Sequence, residues 1–126
     1  MCRILVIDDD KSVLNLLKYR LGVEGFDVVT AQNDEEFRTL AFEQKPDLII
    51  LDIWLGNKNG AFIYDSLLAK GFDHRVPVIF LTALAQDRPE AQPSSPPASG
   101  RKVMLRSKPF DPDALIKDIQ TLVQAA

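Results

Sequence analysis

The sequence predicts a three-layer α/β fold: five parallel strands wound in both directions, with helices on each face of the sheet. Three observations carry this. Strand-like and helix-like apolar patterns alternate along the 126 residues. The runs Ile4–Ile7, Leu48–Leu51 and Pro77–Leu81 are apolar at consecutive positions, as in strands buried on both faces, not at every second position. Each run is followed at its carboxyl end by a polar residue: Asp8, Asp52 and Thr82. Alternating strands and helices with doubly buried strands require a parallel sheet with right-handed crossovers.

The elements follow in order. Ile4-Leu5-Val6-Ile7 is the first strand, bounded by three aspartates. Val13, Leu16, Leu17 and Leu21 recur at helical spacing, with Asp10 placed as the cap and Gly22 as the stop. Gly25 turns the chain into a strand over Phe26–Thr30. Asn33 with Glu36 reads as a capping box for a second helix, whose apolar stripe is Phe37, Leu40 and Ala41 and which Pro46 ends. After the strand that ends at Asp52, a loop with Gly56 and Gly60 leads to a helix carrying Phe62, Ile63 and Leu67. Pro77–Leu81 is the fourth strand and Lys102–Arg106 the fifth. Asp111 caps the final helix, Pro112 opens it, and Leu115, Ile116, Ile119, Leu122 and Val123 face inward.

The stretch from Ala85 to Gly100 breaks the alternation. Pro89, Pro93, Pro96 and Pro97 fall where a fourth helix belongs. Each proline inside a helix removes a donor and clashes with the preceding turn, at about 3 kcal/mol. The expectation is a shortened or absent fourth helix and an irregular segment over residues 85–100.

Composition narrows the function. With 46% hydrophobic and 26% charged residues the chain is globular. Its net charge of −3 gives no long-range pull toward nucleic acid or anionic membrane. The single cysteine, Cys2, rules out an internal disulfide and a multi-cysteine zinc site. No apolar run approaches a membrane span, and the first strand begins at Arg3, leaving no room for a secretory leader. A single cytoplasmic domain over residues 1–126 is expected.

In doubly wound sheets, ligands bind outside the carboxyl ends of the strands. There the sequence places Asp8, Asp9, Asp52, Thr82 and Lys108. Three carboxylates in one hollow repel each other, and a hard divalent cation with a lysine offsets that charge. Magnesium, a lysine and a hydroxyl around one carboxylate suit phosphoryl transfer, and Asp52 is the candidate nucleophile.

These residues carry a resemblance. Ile7 followed by Asp8-Asp9-Asp10, Asp52 with Gly60 eight residues on, Thr82-Ala83 and Lys108-Pro109-Phe110 resemble the receiver domain of two-component response regulators, from Arg3 to the final helix except for the Pro/Ser-rich segment. The resemblance implies the flavodoxin-like strand order 2-1-3-4-5. It implies that Asp52 is the phosphoacceptor for a histidine kinase or phosphotransfer protein. Asp9, Asp52 and the backbone carbonyl of Trp54 would ligate Mg²⁺ directly, with Asp8 acting through water. Thr82 would bond one phosphoryl oxygen and Lys108 another, and the Lys108–Pro109 peptide would be cis. The chain departs from the family at Leu105, where a Tyr or Phe switch usually stands three residues before the lysine, and in the Pro-rich segment, which reshapes part of the usual output face.

The implied function is therefore a Mg²⁺-dependent phosphoacceptor, not an enzyme with an external substrate. It relays its signal by binding an unidentified downstream protein, without nucleic-acid or membrane contact through this domain. An alternative is an interaction module of the same fold, uncoupled from the usual output and open to homodimer formation. A small Mg²⁺-dependent phosphatase is a third reading, but no general acid or cap is evident for it. Trp54 reads either as a rim aromatic or as a gate on access to Asp52. Asp10 reads as a helix cap, His74 as surface and Cys2 as inert. Phe37, Phe42, Phe62, Phe72 and Phe80 read as mainly core.

Overall fold

In a computed structural model the described residues are 2–55, 58–73, 75–82, 103–107 and 111–124. The elements are β1 (Arg3–Ile7), α1 (Lys11–Val23), β2 (Asp27–Ala31), α2 (Asp34–Gln44), β3 (Leu48–Asp52), β4 (Trp54–Leu55), β5 (Lys58–Asn59), α3 (Gly60–Ala69), β6 (Val78–Thr82), β7 (Val103–Ser107) and α4 (Pro112–Gln124). Five strands form one parallel sheet in the order β2-β1-β3-β6-β7. Apart from the small β4–β5 hairpin, this is the expected order 2-1-3-4-5. The 85–100 segment lies outside the described residues.

The strands alternate their side chains between two cores. Leu5, Ile7, Ile49, Leu51, Val78 and Phe80 pack against α2 and α3, with Phe37, Ala41, Ile63, Tyr64 and Leu67. Ile4, Val6, Leu48, Ile50, Ile79 and Leu81 pack against α1 and α4, with Leu14, Leu17, Leu115, Ile116 and Ile119. Each fully buried aliphatic side chain contributes about 1.5–3 kcal/mol relative to exposure, so the central strands dominate stability and hold the strand ends in fixed register.

The local signals act as expected at several ends. The Asp10 carboxylate accepts from the Ser12 amide at 2.9 Å, and Asn33 Oδ1 accepts from the Glu36 amide at 2.9 Å. Glu36 reaches back past the cap, accepting from the Gln32 amide at 2.8 Å, one residue before Asn33. Asp111 caps α4 through the Asp113 amide at 3.0 Å.

Other expectations are corrected. The first helix runs past Gly22 to Val23, and the turn is made at Gly25, whose φ of 92° favours glycine. The second strand is Asp27–Ala31 and the fifth main strand is Val103–Ser107, each one residue later than expected. Phe62 is 72% exposed and Phe42 43% exposed, so neither is a core residue, and Leu16 is also largely exposed. Apolar character alone does not tell which side of a helix meets the sheet. Conversely, Tyr64 is fully buried, stacks edge-on with Phe80 and donates from its hydroxyl to the Val76 carbonyl at 3.3 Å. Its polar tip is satisfied, which lets an aromatic with a hydroxyl serve in the core.

Candidate functional site

The chain passes from β1 to β2 on one side and then returns to β3 on the other, so the winding reverses between β1 and β3. A crevice for a ligand opens at the carboxyl ends of such a pair. Ile7 lies opposite Leu51 in the parallel register, so Asp8 and Asp52 leave neighbouring strands side by side. Asp8, Asp9 and Asp52 each present a carboxylate oxygen, and these oxygens all lie within 4.8 Å of one another.

Their settings differ. Asp8 is 1% exposed and Asp52 is 6% exposed, whereas Asp9 faces solvent. The Asp8 amide donates to the Ala31 carbonyl at 3.2 Å, and the Asp8 carboxylate accepts from the Asp10 amide at 2.9 Å. That pair of bonds fixes Asp8 at the strand end, while Asp10 turns away to cap α1. Beyond Asp52, the Ile53 amide donates to the Leu81 carbonyl at 2.9 Å, holding the start of the next loop against β6.

The site thus gathers hard oxygen donors from two strand ends, two of them withdrawn from bulk water. Among the described residues the cluster is made of carboxylate oxygens, which suit Mg²⁺ or Ca²⁺ better than the usual nitrogen and sulfur zinc sets. Charges of one sign this close destabilise each other unless a cation is near, and a divalent ion answers that need. The residues therefore fit the cation inferred from the sequence.

Of the remaining expected site residues, Thr82 ends β6, where its backbone pairs in register with Ser107 of β7. This places it one strand over from Asp52, whose register partner is Leu81. Trp54 opens β4, paired in register with Asn59. Lys108 and the Lys108–Pro109 peptide lie outside the described residues, as does His74.

The hairpin of β4 and β5 was not anticipated. Its signal was in the sequence, since Gly56-Asn57 between two short segments is a recognised two-residue turn pair. A separate groove of about 1030 Å³ opens at the opposite, amino-terminal edge of the sheet, lined by Cys2, Phe42, Pro46, Phe72, Pro77 and Leu122 among others. It lies across the sheet from the acidic cluster, the one set among the described residues placed to hold a metal ion.

Comparison with known proteins agrees with the fold. A family model of the response regulator receiver domain matches residues 4–120. The DNA-binding dual master transcriptional regulator RpaA of Synechocystis is 33% identical over 124 residues, which is 98% of this chain and 50% of RpaA. The alkaline phosphatase synthesis transcriptional regulatory protein PhoP of Bacillus subtilis is 40% identical over 81 residues, 64% of this chain and 33% of PhoP. The chain thus spans half or less of these relatives' length. Among solved structures, a two-component response regulator from Clostridium difficile superimposes with a TM-score of 0.80 at 23% identity, covering 98% of this chain and 97% of that one. The receiver domain of the hybrid histidine kinase CckA gives a TM-score of 0.76 at 24% identity, covering 96% of this chain and 98% of the other.

Proposed function

The chain belongs to the response regulator receiver domain family, and we propose that it acts as a phosphoacceptor switch in a two-component system. Asp52 takes a phosphoryl group from a phosphohistidine on a kinase or phosphotransfer protein, and the phosphorylated chain binds a downstream protein. The observation that carries the reading is the convergence of Asp8, Asp9 and Asp52 within 4.8 Å at the ends of β1 and β3.

The transfer is a simple displacement. A carboxylate oxygen of Asp52 attacks phosphorus, the bond from phosphorus to the donor imidazole nitrogen breaks, and the electron pair leaves with the imidazole. Burial of Asp52 keeps competing water away from the new acyl phosphate. Asp9 and Asp52, with the Trp54 carbonyl, would hold Mg²⁺, and Asp8 would act through a water molecule. When bound, Mg²⁺ neutralises charge on the phosphoryl oxygens. The Thr82 hydroxyl donates to one phosphoryl oxygen, and the Lys108 ammonium pairs with another. The domain turns over no external substrate, acts in the cytoplasm, and touches neither nucleic acid nor membrane itself. Among the described residues no helix is long and apolar enough to cross a membrane.

A second reading is favoured by one feature. Leu105 lies opposite Phe80 in the register of β6 and β7, at the position where the family usually carries a switching aromatic. A leucine there supports a receiver whose phosphorylation is uncoupled from the usual output face, leaving partner binding or homodimer formation as its role.

The test is phosphotransfer from a phosphorylated histidine-containing domain. The expected result is loss of label from the donor with gain on this chain, and no gain on the Asp52→Asn protein. Label on the Asp52→Asn protein would contradict the assignment.

A further inference from the structure

Gly60 opens α3 with its α-carbon against the main chain of Asp52. A Cβ built there would overlap the Asp52 carbonyl oxygen and lie 3.2 Å from both the Asp52 carbonyl carbon and Ile53 Cα. These are backbone atoms, so no side-chain rotation makes room. Among the described residues the glycines with positive φ are Gly25 and Gly71. What position 60 demands is therefore space, not a left-handed backbone.

The Gly60 amide donates to the Ile53 carbonyl. This one bond joins Ile53 and Gly60 at the base of the β4–β5 hairpin, at a hydrogen-bonded position of the ladder, while the Ile53 amide is taken by the Leu81 carbonyl. Hydrogen-bonded and non-hydrogen-bonded pairs alternate along an antiparallel ladder, so the next pair, Trp54 opposite Asn59, is of the second kind. In such a pair the carbonyls turn away from the partner strand. The Trp54 carbonyl takes no part in the ladder and is presented outside it, two residues beyond Asp52.

We infer that Gly60 is a positioning residue for the acidic site: its missing side chain lets α3 start against Asp52 and sets the hairpin register that presents the Trp54 carbonyl to a cation. The inference rests on the reading of the site as a Mg²⁺-dependent phosphoacceptor. It predicts a defect in metal binding that exceeds any defect in folding. A purely structural glycine would lower stability without changing the Mg²⁺ affinity of the molecules that remain folded.

The test compares the unaltered chain, Gly60→Ala, and Gly22→Ala as a control, since Gly22 is a helical glycine with nothing within 4 Å of a built Cβ. Mg²⁺ alone is the probe, and Trp54, the one tryptophan, reports binding by fluorescence. Gly60→Ala should stay folded by circular dichroism and bind Mg²⁺ about tenfold or more weakly, as removal of an outer support typically does. Gly22→Ala should match the unaltered chain. Unchanged affinity in folded Gly60→Ala overturns the inference. Should Gly60→Ala fail to fold, amide resonances of the unaltered chain decide: Gly60 must shift on Mg²⁺ saturation together with Asp52 and Trp54, and a Gly60 amide that stays fixed while they move overturns it. An unaltered chain that binds no Mg²⁺ refutes the phosphoacceptor reading itself, a result distinct from either of these.

Discussion

Asp8 and Asp52 stand side by side at the ends of neighbouring strands, both almost wholly withdrawn from solvent, with carboxylate oxygens no more than 4.8 Å apart. The register of β1 and β3 enforces this proximity, and the apolar cores on the two faces of the sheet enforce the register. Burial energy from residues such as Ile7, Ile50 and Leu51 is what holds two like charges together.

On the proposed reading of the site, stability depends on Mg²⁺. A ligand that binds only the folded state at one hundred times its dissociation constant adds about 2.7 kcal/mol. Saturating Mg²⁺ should therefore raise the thermal midpoint of the unaltered chain by several degrees. The rise should be largely lost in Asp9→Asn, which removes one proposed ligand from the exposed side of the cluster. Thermal unfolding with and without Mg²⁺, against a monovalent salt of equal ionic strength, measures it.

The core prediction separates two apolar residues that look alike in sequence. Ile50→Ala deletes a side chain buried in the centre of the sheet and should cost about 2–5 kcal/mol. Phe62→Ala removes a larger side chain that is 72% exposed, and its effect should stay within about 0.5 kcal/mol. Urea unfolding of both variants checks the contrast.

At the other edge of the sheet, Arg3 ties three elements together. Its Nε meets Asp27 at 2.7 Å and its Nη1 donates to the Gln44 carbonyl at 2.9 Å, while its own amide donates to Asp47 at 2.8 Å. The pair with Asp27 is about two-fifths exposed on each side, so water screens it. Arg3→Ala should cost on the order of 1 kcal/mol. Arg3→Lys should recover only part of that, because one ammonium cannot reproduce the planar fork that reaches two partners. Denaturant midpoints of the two variants measure the difference.

Cys2 supplies a pH dependence. Burial, reinforced by the Asp47 carboxylate, pushes its thiol above the ordinary value, while the nearby amino terminus pulls the other way. The folded chain therefore holds the thiol proton more tightly than the unfolded chain. The associated stability is fully present below the unfolded thiol pKa of about 8.5 and is lost as pH rises through the higher folded value. Alkylation of native Cys2 should be slow at neutral pH and accelerate only above the unfolded thiol range. Asp47→Asn should shift that rise to lower pH, and a rate profile matching a free thiol would contradict this.

Much of the fold was legible because the strands are buried on both faces. Continuous runs such as Leu48–Leu51 leave no ambiguity of face, and a polar residue at the end of each run marks where the sheet stops. The same feature made Asp8, Asp9 and Asp52 legible as a group, since strand ends in a parallel sheet share an edge. Helix faces were harder to read. Phe42 and Phe62 are as apolar as Phe37, and only packing against the sheet distinguishes the exposed pair from the buried one. Tyr64 escaped notice because its burial depends on a carbonyl from Val76, twelve residues away. The close approach of Gly60 to Asp52 was equally hidden, since a glycine in a loop gives no hint whether it is needed for conformation or for room.

The central claim is most directly tested by intact mass after incubation with a small phosphodonor such as acetyl phosphate. The account predicts one added phosphoryl group on the unaltered chain in the presence of Mg²⁺, little or none after chelation, and none on Asp52→Asn. An Asp52→Asn protein that gains the same mass, or an unaltered chain that gains it equally without divalent metal, would contradict the account.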